Sequence, residues 1–172
     1  MVRARDKTGP ISLQTVQELL APLQTHDWRI GIVRSLWNGE ITSSLYAAAV
    51  DILQQLDIKE QQIHTAEVPG SFEIPLACKW MLHFQRCDTV IALGCIIKGQ
   101  TRHDEYIAQN VSKALMQLNI QYNAPVIFGV LTVENVEQAE ARAGGAYGNK
   151  GAEAALAALH MLALREKIRP CI

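Results

Sequence analysis

The sequence predicts an α/β fold: a three-layer sandwich in which a mainly four-stranded parallel sheet carries helices on both faces. Three observations lead there. From Arg29 onward, apolar runs of strand length alternate with segments of helical period. The stretch 88–97 is apolar almost throughout rather than at every second residue, as in strands covered on both faces. No hairpin-type turn joins one strand segment to the next, so right-handed crossovers and parallel pairing are expected.

The elements follow in order. Residues 1–28 read as an N-terminal arm. Within it Leu13, Val16, Leu19, Leu20 and Leu23 recur at helical spacing behind Ser12, a good N-cap, and Pro22 limits the helix. A single domain is expected over 29–172. Its first strand is 29–35 and its first helix 40–56. A strand at 62–68 precedes a helix at 72–84, where Pro75 suits the first turn. Strand 88–97 runs into a helix at 103–118 with Ile107, Val111, Ala114 and Leu118 on one face. The last strand is 125–133. A short helix at 135–143 and a long Ala/Leu-rich one at 149–167 complete the chain. The Ala-rich face of the last helix is expected to permit close packing between chains.

The bulk numbers exclude several classes. The 172 residues are enough for one domain with a real core, and 49% are hydrophobic. The net charge of -1 and the lack of a basic patch give no reason to expect nucleic acid. No apolar run reaches membrane-spanning length. The basic start MVRARDKTGPIS has no apolar region behind it, so no secretory signal is expected. Cys78, Cys87, Cys95 and Cys171 form no CxxC pair and no zinc-like spacing with the histidines. A cytoplasmic location without metal or cofactor is the expectation.

Chemistry concentrates where strands hand over to helices. The segment LGCIIKGQTRHDEYI (93–107) passes from an apolar strand through a turn into a helix that opens with His103. Ligands of open parallel sheets bind beyond the strand ends, and helix N-termini attract anions. Histidine is the side chain whose ordinary pKa lies nearest neutrality. Gln100 and Thr101 offer N–H groups and a hydroxyl to a phosphate, with Lys98 and Arg102 adding charge. Glu105 is placed to orient His103, or to counter the helix dipole that disfavours its protonated form. Trp37, in the turn after the first strand, has a flat face that suits a planar heterocycle, but it also fits a core or interface role. In VPGSFEIP (68–75), Ser71 reads as a helix cap and Glu73 as its electrostatic support. The other reading has Ser71, Phe72 and Glu73 binding a polyol. In ENVEQAEARAGGAYGNKGAEAA (134–155), Arg142 and Lys150 read either as helix-end charges or as a second phosphate anchor.

These segments, in this order, resemble the lumazine synthase family. The resemblance covers roughly 29–168 and rests on an aromatic-Asn pair after strand one, VPGSFEIP, KGQTRHDEY, PVIFGVLT with ENVEQA behind it, and RAG…GNKGAEAA. It implies a flavodoxin-like fold and the condensation of 5-amino-6-(D-ribitylamino)uracil with 3,4-dihydroxy-2-butanone 4-phosphate, without cofactor. It implies that Trp37 stacks on the pyrimidine and that Ser71, Phe72 and Glu73 bind the ribityl chain and hold the ring. It implies that Cys95, Ile96 and Ile97 face the ring through their backbone. Gln100 and Thr101 would bind the phosphate, and His103 would transfer protons. Phe128 and Arg142 would come from a neighbouring subunit, with Lys150 and Glu105 in support. A homopentamer is implied, with a 60-subunit shell and an association with riboflavin synthase as further expectations. The short connection AGGAYGNKG favours the shell, whereas a helical arm argues against closure.

The chain departs from the family pattern at Asp104, where an aromatic is common, at Gln100 and Cys95, where small residues are common, and at Trp37 in place of phenylalanine. Two other classes stand beside the enzyme. A non-catalytic shell protein fits poorly with the presence of His103, Arg142 and Glu73. A flavin-binding redox module would carry a Ser/Thr-rich loop after strand one, and LWNGEITSS has only scattered hydroxyls.

Overall fold

The computed structural model describes residues 11–23 and 27–169. The expectations for His26, Cys171 and the first ten residues lie outside them. Helix α1 (Leu13–Leu20) starts as its sequence predicts, with the Ser12 hydroxyl accepting from the Thr15 N–H. The sheet strands are β1 (Ile30–Ser35), β2 (Ile63–Val68), β3 (Thr89–Ile97) and β4 (Val126–Val133). All pairs are parallel, in the order β2-β1-β3-β4. The helices between and after them are α2 (Gly39–Gln55), α3 (Ile74–His83), α4 (His103–Tyr122), α5 (Val136–Arg142) and α6 (Lys150–Ile168).

The period-two alternation of the strands divides the core into two layers. Ile30, Ile32, Ile91, Leu93, Leu131 and Val133 face α1, α2 and α6. Val33, Val90, Ala92, Ile96, Val126 and Val130 face α3 and α4. Central β3 is buried on both sides over nearly its whole length, which explains its unbroken apolar run. On one layer Val16 and Leu20 of α1 are buried in the same cluster as Leu159 and Leu162 of α6.

Three sequence expectations need correction. The helix expected from residue 72 begins at Ile74, because Ser71–Glu73 forms a separate 3₁₀ turn. Ser71 is therefore not its cap; the Gly70 N–H donates to the Glu73 carboxylate at 3.0 Å instead. The connection before α6 contains a small antiparallel ribbon, β5 (Ala143–Gly145) with β6 (Gly148–Asn149). Segments this short and glycine-rich carry no alternation to read. Finally, the Ala-rich face of α6 is used inside the chain: Gly151, Ala154, Ala155, Ala158 and Ala163 are buried.

Candidate active site

A parallel sheet whose order reverses between β1 and β3 leaves a crevice where their following loops diverge. Here that crevice is a cleft of about 580 Å³. Trp37 and Asn38 line it from the end of β1, and Gly70, Ser71, Phe72 and Glu73 from the end of β2. Cys95, Ile96, Ile97, Gly99, Thr101, His103, Asp104 and Ile107 line it from β3 and the start of α4. Three segments far apart in sequence thus converge as expected.

Backbone bonds hold the loops together. The β1–β2 ladder continues past its strands: the Leu36 N–H donates to Val68 O at 2.8 Å and the Trp37 N–H to Pro69 O at 3.1 Å. Trp37 is 73% exposed and Phe72 62%, so two aromatic residues stand open at the cleft. The turn carrying Ser71 reaches β3 because of Gly94. A Cβ there would meet Ser71 Oγ at 2.8 Å and Ile74 Cδ1 at 2.9 Å. Behind the cleft Cys95 is buried, and burial pushes its thiol up to about 11. A neutral thiol is a wall, not a nucleophile. Burial likewise raises Cys87 to about 11 and carries Cys78 further in the same direction.

The two basic residues nearest His103, Lys98 and Arg102, are already paired. Arg102 bridges Glu105 at 3.0 Å, so Glu105 is engaged by its neighbour and does not orient His103 as expected. Lys98 bridges Glu134 at 2.9 Å, and this contact raises the lysine's pKa. His103 itself is exposed at the first position of α4. Gln100 is exposed beside the cleft without joining its walls.

Phe128, Arg142 and Lys150 lie elsewhere. They share a second groove of about 370 Å³ on β4 and α6. Phe128 is 47% exposed there. The Arg142 guanidinium donates to Gln138 O at 3.0 Å and sits 5.0 Å from the centre of the Tyr147 ring. Lys150 is held by both Glu153 oxygens at 2.7 Å. Within one chain, then, the expected site residues fall into two separate groups.

Sequence reading passed over Asn38 and Ile107 as site residues. Ile107 carried a signal, since it lies one helical turn after His103 on the same face. Asn38 adopts a left-handed conformation (φ 57°), which asparagine tolerates better than most residues.

An open α/β sandwich with a mainly apolar cleft at its strand-order reversal, walled by aromatic faces, a carboxylate and a histidine, defines an enzyme of small-molecule chemistry. The comparisons narrow the class. The family model described as 6,7-dimethyl-8-ribityllumazine synthase matches residues 27–166, and the chain belongs to that family. The 6,7-dimethyl-8-ribityllumazine synthase of Cytophaga hutchinsonii is 50% identical over 133 residues, which is 77% of this chain and 84% of that protein. That of Flavobacterium johnsoniae is 45% identical over 141 residues, 82% of this chain and 74% of that protein.

Proposed function

We propose that the chain condenses 5-amino-6-(D-ribitylamino)uracil with 3,4-dihydroxy-2-butanone 4-phosphate to give 6,7-dimethyl-8-ribityllumazine, phosphate and water, the penultimate step of riboflavin synthesis. The observation that carries this reading is the meeting of the open Trp37 face, the Glu73 carboxylate and His103 in one cleft. The pyrimidine stacks on Trp37, and its ribityl hydroxyls reach the Ser71–Glu73 turn. The 5-amino group attacks the ketone and forms an imine with loss of water. Phosphate then leaves by elimination beside Thr101 and Gln100. The ring closes with loss of a second water, with His103 moving protons. Orientation of two bound substrates accounts for most of the barrier lowering, since it can supply roughly 7 kcal/mol or more. Mixing the purified chain with both substrates and following lumazine fluorescence tests the reading; no product would sink it.

Trp37→Ala is expected to weaken ribitylaminouracil binding about tenfold or more while leaving the butanone phosphate little changed. Trp37→Phe is expected to be mild. Stacking adds on the order of 1 kcal/mol beyond the buried area. Titration of each substrate separately decides this, and equal losses for both would make Trp37 a structural residue.

The functional unit in this proposal is a ring of five chains. Phe128 and Arg142 of one chain close the cleft of the next. Support comes from their separation from the cleft within a chain and from an apolar ridge leading out of it. Phe72, Leu76, Trp80 and Phe84 follow one another at four-residue spacing, each more than half exposed. An apolar face of that extent suits a subunit contact. Twelve such rings forming a shell is the further step, favoured by the short AGGAYGNKG connection. Light scattering with negative-stain microscopy is expected to show shells. Free pentamers would remove the shell alone, and active monomers would remove the shared site.

A further inference from the structure

We infer that Asn38 is a positioning residue that sets the width of the slot receiving the planar ring; this rests on the function proposed above. The Trp37 side chain is largely exposed, so little packing fixes its ring. Its place is set by the backbone on either side. One tie is the Trp37 N–H to Pro69 O, toward the β2–α3 turn. The other is the Asn38 side chain, whose Nδ2 donates to Cys95 O at 2.9 Å across the cleft floor. Cys95 belongs to the β3 end that forms the opposite wall.

The geometry sets Asn38 apart from an ordinary helix cap. It stands at the N-cap position of α2, yet its side chain makes no capping bond. Asparagine prefers to cap when it occupies that position. Here its φ of 57° and ψ of 47° turn the amide toward β3, while its own carbonyl accepts from the Thr42 N–H at 3.1 Å. The amide therefore links the Trp37 turn to the strand whose backbone faces the ring. It also occupies the Cys95 carbonyl, which leaves Ile96 and Ile97 as the more accessible backbone of that wall. Loss of the link frees the stacking wall to move against the strand wall. The cost falls on the substrate held between them and spares the one held at Thr101 and His103.

The test uses Asn38→Gly, which keeps the left-handed backbone without strain, and Asn38→Asp, which keeps the shape but cannot donate. Steady-state kinetics are read with each substrate varied in turn, alongside thermal melting. In both variants KM for the ribitylaminouracil is expected to rise about tenfold, the size of one lost hydrogen bond in a closed site. KM for the butanone phosphate is expected to stay within about twofold, because no part of the link touches its subsite. Unchanged KM values, or equal rises for both substrates, overturn the proposal. So does an Asn38→Asp variant that behaves as wild type while Asn38→Gly does not, because shape rather than donation would then matter. If neither variant folds, Asn38 is a folding residue and the inference fails. A wild-type chain without lumazine synthesis would remove the function itself and the proposal with it, so the two failures are distinguishable.

Discussion

Arg142→Ala is expected to lower turnover about 100-fold, more than His103→Ala. Removing one partner of a desolvated charge pair commonly costs 2–5 kcal/mol, or roughly 30-fold to several thousand-fold. In the proposed reaction the leaving group is a phosphate, and an anion without a counter-charge in a closed site is costly. His103 sits exposed at the helix start. Water and the phosphate itself can carry part of its proton traffic. Its loss is therefore expected at about tenfold, below the usual 10²–10⁴ for general acid–base groups. Steady-state kinetics on the two variants decide the ranking. A dead His103 variant beside a nearly normal Arg142 variant would reverse it.

The same pair of variants also tests the shared site. Arg142 lies in the groove with Phe128, outside the cleft that holds His103. Chains carrying Arg142→Ala and chains carrying His103→Ala, refolded together in equal amounts, are expected to regain activity. In a closed ring with heterologous contacts, about a quarter of the sites would draw an intact half from each neighbour. If each site were complete within one chain, mixing would restore nothing.

The fold was legible because its strongest signals are local. The apolar run of β3 and the helical period of α4 each follow from burial of adjacent residues. The grouping at the cleft was legible too, since in a parallel sheet every strand end points to the same side. What stayed hidden depends on contacts without a periodic trace. Asn38 and Cys95 are bonded across 57 positions. Pairing of Glu105 with Arg102 rather than with His103 is a choice between neighbours that spacing alone does not decide. Alanines on α6 announce close packing but not the partner, and the partner is α2 of the same chain. The late start of α3 reflects a competition that Pro75 and the Gly70–Glu73 bond settle together.

That α2–α6 contact sets the largest stability effect expected here, for Gly151→Ala. A Cβ at Gly151 would fall onto the Leu45 carbonyl oxygen, with the carbonyl carbon at 2.6 Å and the Leu45 Cα at 2.8 Å. The obstacle is backbone inside a helix, which cannot swing aside as a side-chain tip does. Both helices are also tied at this crossing. Asn149 caps α6 by accepting from the Gly151 N–H at 2.8 Å and donates to Ser44 O at 3.2 Å. The Ser44 hydroxyl donates to Ala143 O. Relief of the clash therefore requires the helices to part and the ties to break. Overpacking of a tight core costs about 1–3 kcal/mol, and the rigid obstacle puts this case at the upper end. At roughly 2–4 °C per kcal/mol for a domain of this size, Tm is expected to fall by about 10 °C. Gly39→Ala in the first turn of α2 is the control, since a Cβ there meets nothing within 4 Å. It is expected to be neutral or to stabilise by a few tenths of a kcal/mol. The damage should also reach the chemistry, because α2 starts beside Trp37 and Asn38, and α6 starts at Lys150 beside Arg142. Melting curves that coincide for Gly151→Ala and wild type would mean that the helices do not meet this closely.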